Sequence, residues 1–397
     1  MRKSPLFVLF ITIFIDLLGF GIVIPILPIF SKELGAADYQ VGLIAAIFPV
    51  MNFLFAPFWG TLSDRHGRRP IILISVCITC IAYMVFGLST SLVVLFLSRL
   101  LSGIGSANFS VAQAYIADVT PPQERAKAMG LMGAAFGLGF IFGPVLGGYL
   151  KSISPAGHVD LVGYVSAAFC VLNLVLAYFL LPESLKELKK EAPFNFRVIT
   201  GIRHELRKDS IRELMIIQFI FILAFMLMQL SCSLLWDEVH GLSEKHIGYT
   251  FAFIGLTTAI IQGTLVGGMV RWLGERKLLV YGAWLMVVGL LILPFVDRAW
   301  FVPVELLGLA IVALANGCLT PSISSLLSKY AQPNEVGQTL GISQSFGSLA
   351  RAVGMGLSGL LYGVDFHLPF VVGAGLMVLT LWFIRHLQQE PTAAVVA

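Results

Sequence analysis

The sequence predicts an all-α integral membrane protein of about twelve transmembrane helices, arranged as two pseudo-symmetric six-helix bundles. Three observations predict it. The chain is too apolar for a soluble protein, its apolar runs match a bilayer crossing, and its two halves repeat. Of 397 residues, 57% are hydrophobic and 12% charged, and the mean hydropathy is +0.89. A soluble domain carries about 25% charged residues, so this chain cannot cover a water-exposed surface of ordinary size.

A helix needs about 20 apolar residues to cross the hydrocarbon layer. Candidate runs lie near 6–30, 42–62, 71–90, 92–117, 127–150 and 161–181, then near 212–236, 246–270, 278–296, 301–328, 338–362 and 368–386. Backbone groups cannot stay unpaired in lipid, and the runs lack the alternation of barrel strands, so they are read as helices. The first run follows Arg2 and Lys3 and continues into Pro25 and Pro28 without a small-residue cleavage site. It is therefore read as a span and not as a cleaved signal peptide. Between the sixth and seventh runs lies the longest polar stretch, which divides the chain into bundles 1–181 and 211–397 joined by a cytoplasmic linker, 182–210.

Twelve spans place both termini on one side of the membrane. Loops on that side hold twenty of the 26 lysines and arginines. The opposite side holds Lys32, Lys151, Lys245 and Arg298, while Arg99 and Arg351 fall within spans. By the positive-inside rule, both termini are cytoplasmic.

The repeat is visible in two places. GTLSDRHGRR from Gly60 matches GGMVRWLGER from Gly267, pairing Gly60 with Gly267 and Gly67 with Gly274 at an offset of 207. PPQERAKAMG ending at Gly130 matches QPNEVGQTLG ending at Gly341 at an offset of 211. Each copy falls at the same place in its six-span half, which points to duplication. Repeated halves with a substrate site between them near the midplane form a transporter architecture.

Several function classes are excluded by pattern. The net charge of +4 comes from short basic clusters between apolar runs, with no aromatic-interleaved patch for nucleic acid. Cys77, Cys80, Cys170, Cys232 and Cys318 all lie in apolar runs. Cys77 and Cys80 have no second pair to complete a metal site, so all five are read as small buried residues. No HExxH, G-x-S-x-G or P-loop is present, and neither an enzyme nor a resident metal or cofactor is expected.

Ionisable side chains in a bilayer are costly unless paired or hydrated. Four are deep: Asp16, Arg99, Glu305 and Arg351. Asp16 lies roughly 15 Å from the cytoplasmic end of its span at 1.5 Å per residue. Burial favours its neutral form and a nearby arginine its anion, so a carboxylate there can load and release a proton. Arg99 is its candidate partner, and a fixed structural Asp16–Arg99 pair is the other reading. Glu305 and Arg351 have compatible depths, as an outer gate or substrate contact or as a local structural pair. Asp64, Arg68, Arg69, Asp118 and Arg125 form a cytoplasmic cluster. Salt bridges that form in one state and break in the other suit a gate reached by water, whereas topology signalling alone accounts for the arginines but not for Asp64 and Asp118. Asn108 and Gln113 are candidate polar contacts in a Phe- and Met-rich cavity.

At these residues a family resemblance emerges. Gly60, Asp64, Gly67, Arg68 and Arg69 stand as in the cytoplasmic loop signature of the major facilitator superfamily. Gly130, Gly139, Gly143, Pro144, Gly147 and Gly148 in span five resemble its antiporter motif, and Arg99 with Gly103 resembles the motif that carries a buried arginine. IDLLGFGIVIPILP around Asp16 and IADVTPPQERAKAMG around Asp118 look most like the tetracycline-efflux branch of the drug:proton antiporters. The chain departs from that branch where acidic or histidine residues stand in its members, with Ala82, Met286 and Thr258 here. The resemblance implies a monomer in a bacterial inner membrane that exports small amphipathic organic molecules or drugs in exchange for protons by alternating access. The alternative it leaves is a specific metabolite, siderophore, sugar or lipid transporter, working as exporter or proton symporter. The expected partners are the small-molecule substrate, protons and the lipid bilayer.

Overall fold

The computed structural model describes residues 5–106, 109–121, 125–155, 158–185, 209–296, 301–331 and 336–387. The candidate Asn108, Arg298 and most of the expected linker (186–208) lie outside the described residues, as does the side chain of Arg125.

All twelve apolar runs carry helix over their described residues. The first is α1 (Pro5–Val23) and α2 (Ile26–Glu33), and the second is α3 (Asp38–His66). Pro25 separates α1 from α2, because a proline has no N–H to give to the ladder and disfavours helical backbone before it. Then follow α4 (Arg68–Gly87), α5 (Leu92–Gly105) with α6 (Phe109–Val119), α7 (Arg125–Ile153) and α8 (Asp160–Leu180). The remaining runs are α9 (Asp209–Leu234), α10 (Glu244–Ile260), α11 (Val266–Leu273), α12 (Glu275–Ile292), α13 (Phe301–Tyr330), α14 (Val336–Val364) and α15 (Leu368–His386). Wider π turns extend α9 over Leu235–Val239 and join α10 to α11 over Ile261–Leu265.

Among the described residues, nine helices are long and apolar enough by themselves to cross a membrane. Among the described residues, the run at 127–150 retains a 17-residue apolar helix, Gly137–Ile153. Large apolar side chains face outward along the helices, with Phe179 76% and Val93 69% exposed. Water would penalise such a surface, whereas lipid accepts it.

The chain forms two compact units, one of Met1–Asn195 with Cys232–Gly255 and the other of Phe196–Ser231 with Leu256–Ala397. In the first unit, helices meet where side chains are missing. A Cβ added to Gly21 in α1 would stand 2.6 Å from the Gly139 carbonyl oxygen in α7, and one added to Gly143 would stand 2.6 Å from the Gly21 backbone. On the opposite face of α7, a Cβ on Gly148 would meet the Glu244 carbonyl oxygen at 2.5 Å, and Gly248 of α10 abuts the Pro144 carbonyl. Span-five glycines thus let two helices approach α7 on different faces. A cluster of Val8, Leu9, Ile71, Ile72, Val111 and Tyr115 fills the space beside them.

The second unit uses the same device. Gly354 of α14 lies against the Leu223 carbonyl of α9, 2.9 Å from where its Cβ would be. Nearby, Ser231 and Ser358 share a buried hydrogen bond at 2.8 Å, and the Ser343 hydroxyl donates to the Gln218 side chain. Such bonds hold helices together where lipid supplies no hydrophobic drive between them.

Replacing Gly143 by valine should lower stability by about 1–3 kcal/mol, because the side chain must displace backbone. Gly137→Ala should be close to neutral, since nothing lies within 4 Å of its Cβ position. Thermal melting of the purified protein in detergent checks both, and equal losses would show that glycine spacing does not control the α1–α7 junction.

Candidate functional site

Asp16 occupies the twelfth position of α1, on a half-buried face. Its Oδ1 accepts a hydrogen bond of 3.2 Å from Nδ2 of Asn173 in α8. The same amide group donates to the Thr12 carbonyl at 3.0 Å, and Asn173 is fully buried. One planar amide therefore ties the carboxylate to the helical turn below it. Sequence reading did not single out Asn173. The signal available was a lone asparagine in an apolar run.

Arg99 lies in α5 and is 2% exposed. Its guanidinium sits over the Phe86 ring at 4.6 Å and over the Tyr83 ring at 5.9 Å, both rings belonging to α4. Its Nε donates to the neighbouring Ser98 hydroxyl at 3.3 Å, and Nη2 has no hydrogen-bond partner among the described residues. Electrostatic attraction to ring faces holds the charge in place. Among the described residues, no ion pair joins Arg99 to Asp16. Tyr83 stands between them instead, for its hydroxyl is 2.9 Å from where a Cβ on Gly19 of α1 would be. The direct pair expected from the sequence is thus an aromatic-separated pair of opposite charges. Gln113 lies partly buried on α6.

Glu305 is 2% exposed on α13, and Arg351 lies on α14. The Arg351 Nη1 reaches the Ser348 hydroxyl at 3.4 Å. No ion pair joins Glu305 to Arg351 among the described residues.

The cluster expected on the cytoplasmic side is drawn together around Arg68, the first residue of α4. Its Nη2 lies 2.7 Å from Asp64 Oδ1, its Nε 3.1 Å from Asp118 Oδ2, and its Nη1 2.6 Å from the Ser63 hydroxyl. Gly67 makes this possible. With φ of +98° it ends α3 and turns the chain so that α4 can start at the next residue. Arg69 points elsewhere, donating from Nη2 to the Tyr178 carbonyl at 2.5 Å at the end of α8. Among the described residues, nothing lies within 4 Å of a Cβ on Gly60.

The structure adds Glu183 and Ser184, just after α8, to this cluster. Glu183 accepts from the backbone N–H groups of Arg68 at 2.9 Å and Arg69 at 3.1 Å, and the Ser184 hydroxyl donates to Asp118 at 3.0 Å. A carboxylate at a helix N-terminus takes up free N–H groups and meets the positive end of the dipole. In sequence, Glu183 reads only as the start of a charged linker.

A second ionic group lies in the first unit at the C-terminal ends of α2 and α7. Lys32 Nζ lies 2.5 Å from Asp38 and 3.0 Å from Glu238, and the buried Lys151 Nζ lies 2.7 Å from Glu33. Burial pulls the Lys32 ammonium towards neutrality, but its bonds to Asp38 and Glu238 outweigh this and raise its proton affinity. Two of the four lysines and arginines assigned to the outer side are therefore held by carboxylates. Among the described residues, no group of three or more His, Cys, Asp or Glu side chains could hold a metal ion.

The family model described as Major Facilitator Superfamily matches residues 9–302 and 263–395. Tetracycline resistance protein, class C, of Escherichia coli is 30% identical over 391 residues, covering 96% of this chain and 97% of its own. Multidrug resistance protein 2 of Bacillus subtilis (strain 168) is 29% identical, covering 96% and 94%. The fold is similar to the crystal structure of the human organic anion transporter MFSD10 (TETRAN), with a TM-score of 0.73, 27% identity and coverage of 96% of this chain and 100% of that one. These are multi-pass membrane transporters and not enzymes. With a family match that spans both halves, the chain belongs to the Major Facilitator Superfamily.

Proposed function

We propose that this chain exports small amphipathic organic molecules, drugs among them, in exchange for protons. The observation that carries this reading is Asp16, a carboxylate inside an apolar helix, held by a buried amide and separated from a buried arginine by a tyrosine. An acid so placed can be loaded with a proton in one state of the cavity and emptied in the other, while the arginine stays charged throughout. The Asp64–Arg68–Asp118 cluster supports alternating access by offering a cytoplasmic gate made of breakable ion pairs. The drug-resistance names of the relatives in Escherichia coli and Bacillus subtilis support drugs as the exported molecules. The lysine and arginine asymmetry supports a bacterial inner membrane with both termini in the cytoplasm. One chain holds the whole set of groups, so the working unit is a monomer.

One observation favours a second reading, specific transport of an organic anion. The buried Arg99 has an N–H without a hydrogen-bond partner among the described residues, which an anionic substrate group would satisfy. The similar human structure is named for organic anion transport.

Substrate-driven proton flux in proteoliposomes separates these readings. Asp16→Asn should abolish proton movement against a panel of dyes, drugs and metabolites. Flux that survives the substitution would move coupling to another acid, and transport without any proton movement would sink the antiport reading. Asn173→Leu should slow transport about tenfold, as expected for loss of a hydrogen bond to a charged group, and should displace the pH–rate profile towards alkaline pH. A residue that merely fills space would lower the rate with the profile unmoved. Arg99→Gln should cost anionic substrates at least ten times more in KM than cationic ones if the anion reading holds. An equal loss for both would assign Arg99 to coupling alone.

A further inference from the structure

The second half carries the cytoplasmic junction with its charges reversed. At an offset of 207, Asp64 corresponds to Arg271, Arg68 to Glu275 and Arg69 to Arg276, and at an offset of 211, Asp118 corresponds to Lys329. The contact to the distant partner corresponds as well as the letters, whereas Arg271 donates to the Gly267 carbonyl at 3.2 Å where Asp64 pairs with Arg68. Where Arg68 reaches Asp118 at 3.1 Å, Glu275 reaches Lys329 at 2.6 Å and also accepts from the Ser325 hydroxyl at 3.0 Å. The one unreversed charge does the same task in both halves. Arg69 donates to the Tyr178 carbonyl and Arg276 to the Arg385 carbonyl at 3.1 Å, two acceptors that are themselves 207 residues apart. The turn is repeated too, for Gly67 has φ of +98° and Gly274 of +76°, each directly before a helix.

Reversal is not neutral, because helices have a direction. Arg68 is the first residue of α4 and Glu275 the first of α12. The first turn of a helix presents free N–H groups and a partial positive charge. Glu275 brings a carboxylate to that end from within its own helix. Arg68 and Arg69 bring two further cations, and the first unit imports the missing carboxylate as Glu183. A Cβ on Gly67 would stand 3.0 Å from the Glu183 carboxyl carbon, whereas nothing among the described residues lies within 4 Å of a Cβ on Gly274.

We propose that Glu183 is a positioning residue of the cytoplasmic cluster, required because the first half starts α4 with a cation where the second half starts α12 with a carboxylate. Glu275 and Lys329 are then the sign-reversed counterpart of Arg68 and Asp118, and among the described residues they hold their junction without an imported acid. Since Glu183 and Ser184 begin the segment that joins the two halves, that segment is fastened to the first-half cluster at both its N–H groups and Asp118. This inference rests on the reading of the Asp64–Arg68–Asp118 cluster as a gate.

The test measures transport in proteoliposomes and melting in detergent on the full chain. Glu183→Ala should slow transport about tenfold, the loss expected for charge-assisted hydrogen bonds, while Glu390→Ala, at the position 207 residues on, should change it less than twofold. In a background carrying Asp64→Arg, Arg68→Glu and Asp118→Lys, the added Glu183→Ala should cost less than twofold, because the helix then carries its own carboxylate. Should that background fail to fold, the reciprocal change decides. Glu275→Arg with Lys329→Asp keeps a pair but should lower melting and transport, and Glu275→Lys should be worse than Glu275→Gln. Glu183→Ala without effect, while Arg68→Gln and Asp118→Asn abolish transport, would overturn the proposal and leave the gate standing. Intact transport in Arg68→Gln and Asp118→Asn would remove the gate itself. An equal loss from Glu390→Ala would also overturn it, by showing that both halves import an acid.

Discussion

Close backbone approach between helices is the constraint on which the rest of this protein depends. Lipid offers no hydrophobic drive for one apolar helix to join another, so association falls to van der Waals contact and a few interhelical hydrogen bonds. Both need short distances. Gly21, Gly139 and Gly143 provide them between α1 and α7, and Gly148 and Gly248 provide them between α7 and α10. The position of α1 fixes where Asp16 stands, and the packing of α8 beside it brings the Asn173 amide within reach of the carboxylate. The place of Asp16 is therefore downstream of glycine spacing.

Polar groups divide into two populations with different physics. Those at helix ends meet water and form ion pairs that can exchange partners, as around Arg68 and around Lys32. Those inside the helical layer are few and are held by amides, hydroxyls or rings, as Asp16 is by Asn173 and Arg99 is by Phe86. A charge surrounded by ring faces stays charged without an anion, which leaves its N–H groups available to something else. This separation suits a transporter, because the end clusters can break and re-form without exposing an uncompensated charge to lipid.

Duplication left the backbone plan and replaced the charges. The turn glycines, the arginine that anchors the neighbouring helix end and the ion pair beneath it recur at fixed offsets in both halves. An ion pair is indifferent to which partner carries which sign, whereas a helix terminus is not. The same junction accordingly has different requirements in its two copies.

What the sequence by itself determined is local in origin. Apolar length sets which runs are helical, the repeat shows in glycines that backbone turns require, and charges within apolar runs mark Asp16, Arg99, Glu305 and Arg351 as unusual. The Asp64, Arg68 and Asp118 cluster was legible for the same reason, since two acids among topology-setting arginines need a partner. Only the tertiary structure decided who that partner was. Opposite charges at similar depth suggested Asp16 with Arg99 and Glu305 with Arg351, yet helix rotation placed Tyr83 between the first two and turned Arg351 to Ser348. Depth follows from position along one helix, while facing follows from the rotation of every helix around it, and no single run encodes that. Asn173 and Glu183 stayed hidden on the same ground, because an amide or a carboxylate acquires its role only from the distant backbone and side chain that packing brings to it.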